Sequence, residues 1–171
     1  AGGNVNTGNM NIGIGYNAFH NAATGDHNIA IGVSAGNAIS SGVYNILLGK
    51  DAGKALNSGH ENVAMGAHAL LTATSAGYTV AIGNSAMAGA NVTGDSNTGV
   101  GASTMYYNTS GNQNVGIGHY SGFYNQTGAN NVYIGARGTS WGNNNYYSNG
   151  SIDRITYWDN ILSQQDFQNY M

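Results

Sequence analysis

The sequence predicts an all-β protein, a parallel β-solenoid or β-roll of eight coils with about 17 residues each. A five-residue pattern, seen in full at 28–32, recurs eight times and ends in a Gly every 17 residues, with one interval of 18. β-branched residues alternate with small ones before most of these glycines, as in a short strand. Gly, at 28 of 171 residues, leaves no stretch for a long helix. The repeat glycines are Gly15, Gly32, Gly49, Gly66, Gly83, Gly101, Gly118 and Gly135.

The strand of each coil is predicted to lie directly before its repeat glycine. Two apolar residues flank one small residue there, except that Leu47 and Tyr133 replace the small one. Because small residues allow another backbone to come close, we expect the face that carries them to meet another chain. The flanking pairs are Ile12/Ile14, Ile29/Ile31, Ile46/Leu48, Val63/Met65, Val80/Ile82, Thr98/Val100, Val115/Ile117 and Val132/Ile134.

The remainder of each coil is predicted to hold a second short strand or extended arm and a turn. A small residue stands three places after the repeat glycine, as at Ala35, and an apolar residue or Gly follows it. A Thr/Ser-Gly pair such as Thr24-Gly25 then recurs, and Gly at that place permits a turn.

An Asn precedes the strand in seven of the eight coils, and Thr79 replaces it in the other. Identical amides stacked on successive coils can bond to one another, so they predict a structural ladder that fixes the register. The predicted ladder is Asn11, Asn28, Asn45, Asn62, Asn97, Asn114 and Asn131.

Each coil offers only two or three sizeable apolar side chains, each contributing roughly 1.5–3 kcal/mol when buried. Ordering the backbone costs roughly 1–2 kcal/mol per residue. A single thin roll therefore has too small a core, and we expect a homo-oligomer.

Composition limits the function. The chain carries four basic and seven acidic residues with a net charge of -3, so no basic patch predicts a nucleic-acid or anionic-membrane partner. No apolar run reaches the roughly 20 residues of a membrane helix, so no membrane insertion is predicted. There is no Cys for disulfides or thiolate metal sites. Because Ala1 falls in the middle of a repeat, we expect the chain to be a piece of a longer protein.

The pattern Asn-x-Ala-Ile-Gly-x-x-Ala, as in 28–35, resembles the head repeats of trimeric autotransporter adhesins. That resemblance implies a left-handed parallel β-roll and a side-by-side homotrimer. The longer pattern, which includes the Thr/Ser-Gly turn, is similar to repeats of phage tail fibres and other phage structural proteins. The resemblance covers about residues 1–138, although the period of 17 exceeds the usual adhesin head repeat. Nothing in the chain matches the neck, stalk or anchor of an autotransporter.

Residues 139–171 form a second unit, rich in aromatic residues and Asn. We expect a strand over 151–158 and a short helix from Ser163 to Tyr170, which together either cap the rod or bind ligand. The last 22 residues or so resemble the end of a laminin-G-like, concanavalin-type jelly roll, a class of domain that often binds glycans.

No catalytic, metal or cofactor site is predicted. The histidines share no ligand spacing, and the hydrolase and metalloprotease motifs are missing from the sequence. Aromatic side chains are concentrated in the last third of the chain, and sugar rings bind to aromatic faces beside Asn and Gln amides. The candidate receptor or glycan contacts are Trp141, Tyr146, Tyr147, Trp158, Tyr107 and Tyr124.

These observations favour a non-enzymatic structural and adhesive fibre module of a phage tail fibre or virion appendage, placed extracellularly on the virion. Its partners would be two further copies of itself and a cell-surface glycan or protein receptor. The alternatives are the head of a bacterial trimeric surface adhesin and, with less support, a glycan-degrading tailspike.

Overall fold

The structure, a computed structural model, describes residues 8–21 and 24–135. Eight three-residue strands form one parallel sheet in sequence order, and their seven pairings make a β-solenoid of about seven turns. This confirms the predicted solenoid. The expected strand and helix of 139–171 lie outside the described residues. The strands are β1 Ile12–Ile14, β2 Ile29–Ile31, β3 Ile46–Leu48, β4 Val63–Met65, β5 Val80–Ile82, β6 Thr98–Val100, β7 Val115–Ile117 and β8 Val132–Ile134.

The predicted second strand of each coil is wrong for the described residues. The segment after each repeat glycine consists of turns, because its second and fourth residues have left-handed backbone angles, with φ between +43° and +62°. Such residues cannot continue an extended ladder. The coils still bond to each other there: the Phe19 amide donates to the Ala35 carbonyl at 3.2 Å, and the Leu70 amide to the Ala86 carbonyl at 3.0 Å.

The strands face the opposite way from the prediction. The middle residue points into the roll, so Ala30, Leu47 and Ala64 are fully buried. The flanking apolar residues point outward, and Ile31 and Met65 are 39% and 38% exposed. The face that carries the small residues is therefore the interior of the chain and cannot meet another one. We call the opposite face, formed by the first and third residues of β1 to β8, the outer face.

Between the strand centre and the turn segment, the interior is filled by one large side chain at a time, and further large residues such as Ile39 and Leu56 are buried elsewhere in the coils. Leu47 lies where both Gly36 and Gly53 leave space, since a Cβ built on Gly53 would be 2.7 Å from Leu47 Cδ2. Tyr133 likewise packs against Gly122. In other coils the strand residue is small, and a residue of the turn segment, such as Leu70, fills the space instead. A large residue on one side therefore requires a small one on the other.

The asparagines before the strands bond from coil to coil. Asn45 Oδ1 accepts the backbone amide of Asn62 at 3.1 Å and its Nδ2 at 3.0 Å. Nδ2 of Asn62 also donates to the Ala76 carbonyl at 2.7 Å. The fully buried side-chain amide of Asn62 therefore bonds to both neighbouring coils. Thr79 donates its amide to Asn62 Oδ1 at 3.0 Å but turns its hydroxyl to the Gly77 carbonyl. The amide-to-amide bonds resume between Asn97 and Asn114 at 3.0 Å.

Candidate functional site at the C-terminal end of the described rod

Five aromatic rings form one cluster in the coils that precede β7 and β8. We call it the aromatic ladder: Tyr106, Tyr107, Tyr120, Phe123 and Tyr124. Residues 106 and 123, and likewise 107 and 124, are one repeat apart, so the solenoid brings them face to face. Tyr106 stacks on Phe123 with centroids 5.2 Å apart, and Tyr107 stacks on Tyr124 at 5.9 Å, with planes 13° and 6° from parallel.

The two stacked pairs are locked together by edge-to-face contacts. Tyr107 meets Tyr106 at 4.9 Å and Phe123 at 5.2 Å, with ring planes close to perpendicular. Tyr120 adds a fifth ring against Phe123 at 4.9 Å. Both arrangements are favoured by the quadrupoles of the rings. These contacts fix the orientations of the five rings relative to one another.

The backbone of the preceding coil makes room for the ladder. Tyr106 lies over Gly89, where any Cβ would overlap its ring. The ladder is partly exposed, and Tyr107 presents 37% of its surface to solvent. A cleft of about 290 Å³ adjoins it, lined among others by Tyr124, Gln126 and Tyr133. Aromatic faces beside side-chain amides are therefore present at this end of the rod.

The core below the ladder is more polar than in the earlier coils. Asn108 and Asn125 occupy the repeat position held by Ile39 and Leu56, and both are buried. Asn125 Oδ1 accepts the Gly128 amide at 3.1 Å, whereas Asn108 Oδ1 has no hydrogen-bond partner among the described residues. The last described coils are thus built differently from the rest of the rod.

The structure places two of the six candidate contact residues in the aromatic ladder. Tyr107 and Tyr124 lie side by side in it. Trp141, Tyr146, Tyr147 and Trp158 lie outside the described residues.

Charged side chains form one close cluster in the described part of the chain. The Asp51 carboxylate lies 3.1 Å from Lys54 Nζ and 3.6 Å from His68 Nε2. Residues 8–21 and 24–135 bring together no three His, Cys, Asp or Glu side chains able to hold a metal ion. The same ranges contain no helix of the length and apolarity that a membrane crossing requires.

A second surface feature was missed in the sequence. A cleft of about 470 Å³ is lined by Tyr44, Glu61 and Val63. We call it the Tyr44–Glu61 cleft. The sequence does contain a pattern that indicates this cleft, because Tyr44, Glu61 and Tyr78 occupy the same repeat position in three successive coils.

Comparison of the chain with protein-family models, curated proteins and solved structures finds no match.

Proposed function

We propose that the chain is a non-enzymatic structural and adhesive module of an extracellular fibre. It serves as a spacer in a phage tail fibre or similar virion appendage and contacts a cell-surface glycan or protein receptor near its C-terminal end. The fibre is a homotrimer of side-by-side rolls.

The outer face is the observation that carries this proposal. Its sixteen side chains, two from each strand, form two parallel columns, and all but Thr98 are apolar. Seven strand spacings of about 4.8 Å make the columns roughly 34 Å long. Soluble monomers rarely expose apolar surface so continuously, and such a surface typically marks an interface.

A second copy is the occupant that fits this face. The apolar columns run the whole length of the described sheet, so the partner must be equally long and equally regular. Another roll of this chain, lying alongside, has a matching row of side chains at the same spacing. Association would also supply the buried apolar area that the thin interior of one roll lacks.

The aromatic ladder supports receptor contact at the C-terminal end. Sugar rings present apolar C–H faces that pack on aromatic rings, while their hydroxyls bond to amides. The ladder offers Tyr107 and Tyr124 for the first interaction, and the adjoining cleft offers Gln126 for the second.

The mass in solution tests the assembly. We expect the parent chain to have three times the 17.6 kDa of one chain. Leu48→Glu with Ile82→Glu places charges on the outer face and should shift the mass toward that of one chain. Ser58→Glu is the matched control, because Ser58 is exposed on another edge and should keep the parent mass. A folded parent monomer would refute the assembly.

A glycan array tests the receptor contact. We expect the parent to bind, and Trp141→Ala, Tyr146→Ala and Tyr107→Ala to lose most of the signal. Tyr16→Ala is the control, because Tyr16 is 73% exposed at the opposite end of the described rod. Absence of binding by the parent, or equal binding by all variants, would remove the glycan from the proposal.

A further inference from the structure

The Tyr44–Glu61 cleft lies on an edge of the rod that the proposed function does not use, apart from Val63 at the margin of the outer face. Tyr44, Glu61 and Tyr78 each stand directly before a residue of the buried Asn/Thr column, with φ of +57°, +54° and +51°. This common left-handed conformation projects all three side chains from the same edge of successive coils. The solenoid thus makes a regular Tyr–Glu–Tyr row.

The Tyr44 ring is held in a fixed orientation. His27 of the preceding coil stacks on one of its faces, with centroids 4.8 Å apart and planes 5° from parallel. Because His27 covers the side toward its own coil, the other face of Tyr44 is turned toward the coil of Glu61. Tyr44 remains 54% exposed, so this second face is open to a ligand.

Tyr78 bounds the row on the far side of Glu61. It is 53% exposed, and His60 holds it by an edge-to-face contact at 5.0 Å. Two coil spacings separate Tyr44 from Tyr78, which is about 10 Å. That distance leaves room for one planar group above Glu61.

No positive side chain in the described part of the chain compensates the charge of the cleft. The Glu61 carboxylate has no ion pair and no side-chain hydrogen bond among the described residues. The Lys and Arg residues in the described ranges are Lys50 and Lys54, which follow Gly49 on another side of the coil, and Lys54 pairs with Asp51. A cation that enters the cleft therefore meets a free carboxylate and no competing Lys or Arg side chain from residues 8–21 and 24–135.

We propose that the Tyr44–Glu61 cleft binds the guanidinium group of an arginine on a partner protein. A guanidinium is flat and stacks on the open face of Tyr44. Its N–H edge at the same time donates to the Glu61 carboxylate in the bidentate geometry that carboxylates accept.

The chain contains a natural control position in the coil that leads into β7. At the equivalent position before β7 the chain has Gln113, with Ser96 in place of Tyr44 and Val115 in place of Val63. This position has the same backbone but neither the ring nor the charge, so it should not bind the cation.

The test is a titration of the full chain with N-acetyl-arginine amide, followed through the methyl signals of Val63 and Val115 in NMR spectra. We expect saturable shifts at Val63 alone, with a dissociation constant of about 1–10 mM, as one exposed ion pair and one cation–π contact allow. N-acetyl-citrulline amide, which has the same shape without the charge, should bind at least threefold more weakly.

Two variants separate the contributions. Glu61→Gln keeps the size of the side chain and should weaken arginine binding about two- to fivefold, and Tyr44→Ala should weaken it to a similar degree. Equal binding of citrulline, equal shifts at Val115, or no saturable shift at Val63 would each overturn the proposal. Methyl glucoside is included, and a Val63 shift by this neutral sugar that survives Glu61→Gln would assign the cleft to carbohydrate instead. None of these outcomes depends on whether the aromatic ladder binds a receptor.

Discussion

Exchange of the large residue between the two sides of one coil tests how the interior is filled. Leu47 is fully buried, and Gly53 of the same coil leaves the space that its two δ-methyl groups occupy, at 2.7 and 3.0 Å from a Cβ built there. In the next coil the arrangement is reversed, with Ala64 on the strand and Leu70 on the turn segment. Leu47→Ala with Gly53→Leu therefore copies the next coil.

The magnitudes follow from packing. Leu47→Ala alone leaves a cavity and should lower the free energy of unfolding by about 3–4 kcal/mol. Gly53→Leu alone adds a side chain where Leu47 already lies and gives a left-handed φ of +56° to a residue with a Cβ, which together cost about 3 kcal/mol. The double variant keeps only the cost of the left-handed backbone, about 1–2 kcal/mol. Leu70, at the equivalent position of the next coil, already adopts such a conformation, with φ +50°.

Urea unfolding followed by circular dichroism at one fixed protein concentration measures the three variants. We expect the double variant to be more stable than either single one, with a coupling free energy of about 5 kcal/mol. Leu47→Ala with Gly36→Leu is the control, because a Cβ on Gly36 is also 3.0 Å from Phe19 Cε1, which stays in place. That control should recover much less of the stability that Leu47→Ala loses. Additive losses in the first double variant would refute the view that residues 47 and 53 share one volume.

Two further predictions concern buried polar groups and the repeat glycine. Asn108→Leu should raise the melting temperature by a few degrees, because it removes an unpartnered buried carbonyl and copies Leu56. The Gly111 carbonyl, which accepts from Asn108 Nδ2, keeps its other bond from Asn97 at 2.7 Å. Asn62→Leu should instead lower the free energy of unfolding by about 3 kcal/mol or more, since the bonds of Asn62 to both neighbouring coils are lost. Equal effects of Asn108→Leu and Asn62→Leu on stability would contradict this reasoning. Gly66→Ala should destabilise the fold by more than about 2 kcal/mol, because its φ is +131° and a Cβ would lie 2.5 Å from the Gly83 carbonyl oxygen. The exposed Asn84→Ala is its control, and a similar melting temperature for both would show that the backbone relaxes.

The sequence located every described strand because the repeat is in register with the structure. Period-two alternation, however, says only that two faces differ and not which one is inside. The large apolar side chains of pairs such as Ile29 and Ile31 suggested that these residues lie in the interior. The interior of the roll is too narrow for two large side chains per strand, so the single middle residue faces inward and the pairs face out.

The second strand was predicted because the segment after the repeat glycine is rich in small and apolar residues. Its conformation is decided by the coil above and below it instead. Asn17, Asp51 and His68 are residue types that tolerate left-handed angles, but Phe19 and Met87 are not, and both adopt them here. Backbone bonds to the next coil and burial of the side chain outweigh that local cost.

One signal in the sequence does identify the interior. The strand centre is large at Leu47, and Gly36 and Gly53 flank it; it is large again at Tyr133, and Gly122 precedes it. Compensation of volume between two repeat positions requires that their side chains meet, so these positions must both face the core. It follows that the β-branched columns beside them face out.

The thin interior also limits where recognition can occur. Each described coil buries only one or two large apolar side chains, as Leu47 and Leu56 in one coil, so it buries little apolar area by itself, and the proposed assembly covers the outer face. In the proposed assembly this face is covered by another roll, so it cannot also vary to suit a receptor. The edges are free of this constraint, because their residues, such as Tyr44, Glu61 and Tyr107, project from turns whose backbone bonds are made by neighbouring coils. Each edge position repeats every 17 residues or so, and a change at one coil therefore alters one step of a row and leaves the rod intact.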